Sequence, residues 1–305
     1  MRRLAVALTA ASVVFAMSAA AASALSAAGS GAKSTHTRTN RSATRHRKST
    51  THHSAAALTA HGQRIHVLPS LHLNANQSNN WFGYDQGALE QGGKLFTSIT
   101  GQWTVPTASQ HTKGQAEASS DWIGIGGGCV DSGCTVTDPT LIQTGTEQDV
   151  SATGAASYSS WWELVPAPSI TISNMTVHPG DRMSASIKEI VSLTNVWQIS
   201  LKDLTTGQSF STTVPYASTH GTAEWIEETP LELGTSPGLA SLPNLTNPNF
   251  DLGTVNGTAP ALKSTEQIDL TTSSGQIIGT PSAPDSDADG FGACAWAGSC
   301  VAPAS

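Results

Sequence analysis

The feature that most restricts this chain is a two-residue alternation that recurs along it past residue 80. Ile99, Gly101, Trp103 and Val105 alternate with Thr100, Gln102 and Thr104 and stop at Pro106. Tyr158, Ser160, Trp162 and Leu164 alternate with Ser159, Trp161, Glu163 and Val165, and Trp197, Ile199 and Leu201 share one side of the run 196–202. Neighbouring strand residues point to opposite faces, so this period marks half-buried strands. Pro179-Gly180-Asp181 and Thr205-Thr206-Gly207 supply turns between such runs. No segment carries the period of a long amphipathic helix, and no internal repeat is visible. The pattern predicts one all-β domain, a sandwich or barrel, over residues 78–305.

The N-terminus is of another kind. Arg2 and Arg3 lead into an Ala/Val/Leu stretch and then Ala22-Ser23-Ala24, the order of a secretory signal peptide, read here as residues 1–28. No later stretch is long enough to span a bilayer. The chain is therefore expected to be secreted, with no stable membrane association. Before residue 85 there is no Asp or Glu, while nine of the fifteen Lys and Arg lie there. From Asp85 onward six Lys and Arg stand against twenty-two Asp and Glu, a balance of −16. Residues 29–77 are Ser/Thr/His-rich, carry Lys33, Arg38, Arg41, Arg45, Arg47, Lys48 and Arg64, and show almost no apolar periodicity before Ile65. Such composition reads as disorder. A basic tract can bind nucleic acid or a membrane or wall surface. Ahead of an acidic domain in an exported chain, the preferred reading is a removable pro-segment acting as an intramolecular inhibitor, with self-cleavage between Gly29 and Asn80. Its attraction for the domain weakens in acid as the domain's carboxylates protonate. No nucleic-acid partner is expected, and the domain is read as a monomer.

Cys129, Cys134, Cys294 and Cys300 allow three pairings. Export favours disulfides, and each close pair can close a short loop. A zinc site fails on spacing and on histidines, since only His111, His178 and His220 follow the basic segment. Asp285-Ser286-Asp287-Ala288-Asp289-Gly290 resembles the opening of a calcium loop, but the twelfth position is Trp296, where a bidentate Glu is needed. It reads as an acidic turn. Neither metal nor cofactor is assigned.

Two segments place polar groups where apolar ones belong. Leu141-Ile142-Gln143-Thr144-Gly145 holds a lone amide, and Ala223-Glu224-Trp225-Ile226-Glu227-Glu228 holds carboxylates around Trp225 and Ile226. Burying an amide without a partner costs roughly 2–7 kcal/mol, so such groups are candidates for chemistry. Alternation puts Glu224, Ile226 and Glu228 on one face and Trp225 and Glu227 on the other. Glu224 and Glu228 lie about 13 Å apart at strand rise, too far to act as a pair. Gln143 shares a face with Leu141, and Glu163 shares one with Trp161. If those faces line one concave sheet, Gln143, Glu163 and Glu228 converge beside Trp122. The plain alternative is a solvated edge for the three glutamates and a loop hydrogen bond for Gln143.

Seven segments in order resemble the mature domain of the glutamic peptidases, or eqolisins. They are Asn80-Trp81-Phe82-Gly83, Thr100-Gly101-Gln102-Trp103-Thr104-Val105-Pro106, Asp121-Trp122-Ile123-Gly124-Ile125-Gly126-Gly127, and the Gln143 segment. Trp161-Trp162-Glu163-Leu164-Val165-Pro166, the Glu228 segment and Phe250-Asp251-Leu252-Gly253-Thr254-Val255 complete the series. The resemblance implies a β-sandwich of two antiparallel sheets, jelly-roll or concanavalin-like. It further implies an acid-active endopeptidase on polypeptide substrates with Gln143 and Glu228 as a catalytic dyad. Trp122, Glu163 and Trp161 fall on positions beside the cleft. One departure stands out: the family's Asp after Trp-Val-Gly-Ile is Gly126 here.

The chemistry matches these residue types. A carboxylate can take a proton from water and return it to the leaving amine, while a neutral amide donates to the tetrahedral oxyanion. A Gly-x-Ser-x-Gly nucleophile elbow is absent. The alternative is a concanavalin-like glycoside hydrolase or carbohydrate-binding module. It would use Glu163 and Glu228 as paired carboxylates, roughly 5–5.5 Å apart if retaining, with Trp122, Trp161 and Trp162 stacking on sugars.

Overall fold

The computed structural model describes residues 64–69, 76–233 and 237–304. The expected signal peptide, and the pro-segment up to residue 63, lie outside the described residues. Fifteen strands carry the argument. They are β1 (Arg64–Ile65), β2 (Trp81–Gly87), β3 (Ser98–Thr104), β4 (Glu117–Ile125), β5 (Leu141–Val150), β6 (Ala156–Val165), β7 (Arg182–Glu189) and β8 (Val196–Asp203). They continue with β9 (Ser209–Pro215), β10 (Thr222–Glu228), β11 (Leu231–Glu232), β12 (Asn249–Val255), β13 (Gln267–Thr271), β14 (Ile277–Pro281) and β15 (Phe291–Ala295). The helical element among the described residues is a single 3-10 turn, Ser264–Glu266.

One layer runs β6-β5-β4-β10-β2-β13 and the other β9-β8-β7-β3-β12, and β15 and β14 join them at one edge. Every one of these pairings is antiparallel. The main core lies between the layers and includes Ile99, Trp103, Ile123, Ile187, Trp197, Ile199, Trp225 and Phe250. Two indoles tie the layers together. Trp103 Nε1 donates to Thr146 Oγ1 at 2.8 Å, and Trp225 Nε1 donates to the Thr100 carbonyl at 2.9 Å. Buried indole N–H groups need such partners.

In the second layer the alternation is clean: β8 buries every second residue, Trp197, Ile199 and Leu201 among them. The first layer differs, since β2, β4 and β10 are buried at every position. Their inner face meets the core. Their outer face carries a second cluster of Trp81, Trp122, Leu141, Trp161 and Ile226, with Leu68 packed against it.

Leu68 belongs to a piece of chain that the sequence assigned to the disordered basic stretch. Arg64–Pro69 forms part of the described fold, and β1 pairs antiparallel with β11, Arg64 opposite Glu232. The cysteines join as sequence neighbours, Cys129 to Cys134 and Cys294 to Cys300. Each bridge closes a short loop. At the layers' joined edge, Asp251, Asp285 and Asp289 each bring a carboxylate oxygen within 4.8 Å of the others. Burial, and then the nearby charge of Asp287, push Asp289 up to about 6.

Candidate active site

The outer face of the first layer gathers the residues singled out in the sequence. Register sets the rows. Gln143 on β5 stands opposite Glu163 on β6 and Gly124 on β4, while Ile226 on β10 stands opposite Trp122. Glu228 ends β10 opposite Ser120 and Trp81. Gly145 lies beside Trp122 because it must: a Cβ there would sit 2.5 Å from the Trp122 Cβ and 2.2 Å from the Asp121 carbonyl. The missing side chain makes room for the Trp122 backbone and Cβ, and the indole reaches Glu228.

Gln143, Glu163, Glu228 and Trp122 are fully buried, and Trp161 is 2% exposed. The expectation of a solvated edge is thereby overturned for the glutamates. β10 is a central strand, and Glu224, Glu227 and Glu228 all show zero exposure. Their parity is as expected. Glu228 lies on the Ile226 face, whereas Glu227 points into the interlayer space, where Gln148 Nε2 lies 3.5 Å from Glu227 Oε1 and 3.2 Å from Asp121 Oδ2. Burial, followed by the charge of Asp121, pushes Glu227 well above the carboxylate range.

Glu228 is held from three directions. Trp122 Nε1 donates to its Oε2 at 2.8 Å, Asn80 Nδ2 donates to its Oε1 at 3.1 Å, and His66 Nδ1 lies 3.0 Å from Oε2. Gln143 is aimed by Glu163: its Nε2 donates to Glu163 Oε2 at 3.2 Å and to the His66 carbonyl at 3.3 Å. Glu163 Oε2 also accepts from the His66 backbone N–H at 3.1 Å. Burial raises Glu163 to about 8 against the opposing charge of His66. For His66, burial works to lower the ring's pKa, but the charge of Glu228 and their hydrogen bond outweigh it and the net shift is upward.

No hydrogen bond among the described residues joins Gln143 to Glu228 directly. His66 stands between them, with its main chain on Gln143 and Glu163 and its ring on Glu228. That ring also stacks on Trp161, with centroids 3.6 Å apart and planes 8° from parallel. Further along the segment, Asn80 Nδ2 donates to the Val67 carbonyl at 3.2 Å. Arg64 pairs with Glu147, Asp149 and Glu232, the last at 2.9 Å. Burial and then Glu147 push Asp149 up to about 8. Asn80 and His66 were not foreseen as site residues. Asn80 merely opens the Asn80-Trp81-Phe82-Gly83 segment, and His66 sits in a stretch whose composition reads as disorder.

The departure at Gly126 has a backbone cause. Its φ is +101°, and a Cβ would lie 1.9 Å from the Thr140 carbonyl, so an aspartate cannot occupy this backbone. A different carboxylate borders the next turn: Asp85 lies against Gly128 and accepts from the Cys129 N–H at 2.6 Å. Trp162, grouped with Trp161 as a sugar platform, points to the other face and packs on the main core.

Residues 79–288 match the model of the Peptidase A4 family. Aspergillopepsin-2 of Aspergillus niger is 28% identical over 179 residues, covering 51% of this chain and 57% of that protein. The chain thus spans little more than half the length of that curated relative. Among solved structures, a scytalido-glutamic peptidase bound to a transition-state-analogue inhibitor superposes with a TM-score of 0.53 at 20% identity. The match covers 71% of this chain and 98% of that one. SCP-B, an eqolisin solved with the tripeptide Ala-Ile-His, gives 0.50 at 18% identity over the same shares. These likenesses establish the β-sandwich fold.

Proposed function

Because the chain belongs to the Peptidase A4 family, we propose that it is a secreted, acid-active endopeptidase of glutamic type, with Gln143 and Glu228 as its catalytic pair. Glu228 takes a proton from water, the resulting hydroxide adds to the substrate carbonyl, and Glu228 returns the proton to the leaving amine. Gln143 donates Nε2–H to the oxyanion formed in that addition. Glu163 aims the Gln143 amide, and Trp122 and Asn80 hold the Glu228 carboxylate. Trp161 offers a flat face to the substrate side chain next to the reacting carbonyl. The observation that carries this reading is that Gln143 Nε2 already donates to a main-chain carbonyl, that of His66, while Glu228 contacts the same residue.

Extracellular action is supported by the leader sequence and the two disulfides. An acid optimum is supported by the carboxylate excess of the domain and by the raised Glu163. A role for the basic segment as an intramolecular inhibitor is supported by Arg64–Pro69 lying across the site. The sugar-binding alternative finds less support, since its tryptophans are divided between two faces of the sheet. Digestion of denatured protein across pH, with and without an aspartic-protease inhibitor, tests the proposal. Inhibitor-resistant acid proteolysis that Glu228→Gln abolishes is the expected result, and a fully active Glu228→Gln enzyme overturns it.

A further inference from the structure

Residues 64–68 lie across the proposed dyad in a fixed register, with the His66 ring still on the carboxylate that must activate water. The His66 carbonyl accepts from Gln143 Nε2, the group proposed as oxyanion donor. The next carbonyl, that of Val67, accepts from Asn80, and the same Asn80 amide donates to Glu228. The bond between these two carbonyls is therefore flanked by one carbonyl on the oxyanion donor and one on the amide that also holds the proton-transferring carboxylate. Contacts on both sides fix its register. Upstream, β1 is hydrogen-bonded to β11 and Arg64 is held by Glu147, Asp149 and Glu232. At the centre the His66 ring is stacked on Trp161. Downstream, Leu68 is packed on the aromatic cluster of the outer face. A slip by one residue would lift Arg64 from its three carboxylates and turn the His66 ring away from Trp161.

We infer that the peptide bond between His66 and Val67 is the self-processing site of this chain, hydrolysed in the cleft of the same molecule. The inference rests on the dyad reading above and narrows the expected region, Gly29 to Asn80, to one bond. Water adds across the bond. Glu228 removes one proton from it, its oxygen joins the His66 carbonyl carbon under the Gln143 donor, and the proton passes to the Val67 nitrogen as the C–N bond breaks. The products are a fragment ending in the His66 carboxylate and a domain beginning with the Val67 amine. The ring of His66 occupies Glu228 Oε2 in the seated state, so it must swing aside before water can be activated. The uncut chain is accordingly latent rather than instantly processed.

The test uses the full precursor after leader removal, incubated in acid, with intact-mass measurement and N-terminal sequencing, and with digestion of denatured protein measured on the same sample. The expected result is a new terminus at Val67 and a released fragment ending at His66, at a rate independent of precursor concentration. Glu228→Gln leaves the precursor intact, and Gln143→Ala slows processing by about 10²–10³-fold. Val67→Pro, which removes the N–H and fixes φ at the leaving residue, abolishes the Val67 terminus. An active preparation whose His66–Val67 bond stays whole, with its terminus elsewhere, overturns this inference and leaves the peptidase reading standing. A sample that neither processes nor digests denatured protein at any pH overturns both.

Discussion

His66 Nδ1 and Glu228 Oε2, 162 residues apart in the chain, lie 3.0 Å from each other with both side chains fully buried. The pair sets opposing forces on the ring, with burial favouring the neutral imidazole and the glutamate favouring the charged one. The second wins, so the ring's pKa lies above its ordinary value of about 6.5. In a Gln143→Ala precursor, which stays uncut long enough to measure, the His66 ring protons should titrate above that value. In Glu228→Gln burial is left to act without the principal opposing charge, and the midpoint should fall to or below it. Histidine NMR titration of both variants checks this, and an unchanged midpoint would remove the pairing.

The same shift carries a sign for docking. A raised histidine pKa contributes stability that is fully present below the free value and is lost as pH rises through the raised one. The His66 contact therefore fastens the segment fully in acid and is lost as pH rises through the raised value. Release in acid must come from the carboxylates that face Arg64 and His66. Protection of the Arg64–Leu68 amides in the Glu228→Gln precursor, followed by hydrogen exchange, should therefore be weaker than in Gln143→Ala below neutrality.

Arg64 should decide how firmly the site is covered. Removing one partner of a largely buried charge cluster costs about 3–5 kcal/mol. In a Val67→Pro background, which cannot cut the inferred bond, Arg64→Ala should uncover the cleft. The double variant should digest a short peptide substrate at many times the rate of Val67→Pro alone. Equal rates would show that the segment does not obstruct the site.

The interior carboxylates predict an acid-stable fold. Burial raises Asp121 to about 6 and Glu163 to about 8, and pushes Asp85, Glu224 and Glu227 well upward. A group raised in the folded state adds stability below its unfolded value, near 4, and loses it as pH climbs through the folded value. The melting temperature should therefore be highest in mild acid and decline from about pH 5 to 8. Glu227→Gln should flatten that decline and raise the neutral melting temperature by roughly 2–4 °C per kcal/mol gained in a domain of this size. Its proteolysis should be nearly unchanged, since Glu227 faces the interlayer space. Glu228→Gln and Gln143→Ala should melt close to wild type yet lose activity, about 10²–10³-fold for the lost donor.

What the sequence made legible was whatever the two-residue period controls. The Trp197-Ile199-Leu201 face, the opposite sides taken by Glu227 and Glu228, and the meeting of Gln143, Glu163 and Trp122 on one surface all follow from alternation along single strands. What stayed hidden depends on partners distant in the chain. Nothing local to Glu224 or Glu227 shows that a central strand, closed in by β2 and β4, will bury both. His66 was hidden by composition. Its order comes from Glu147, Glu163 and Glu228, and the only local sign was that apolar residues begin again at Ile65, Val67 and Leu68.

Gln143 and Glu228 sit on strands separated by β4, each within a ladder whose side chains alternate between cleft and core. The proposed chemistry therefore depends on parity. A single-residue insertion within β10 ahead of Glu227 would turn Glu228 into the interlayer space and bring Glu227 to the cleft, so the cleft would keep a carboxylate. The same insertion in β5 ahead of Gln143 would leave only Ile142 or Thr144 facing the cleft, with no amide in reach. Of the two groups proposed to react, the glutamate has a neighbour able to replace it under a frame error in the sheet, and the glutamine has none.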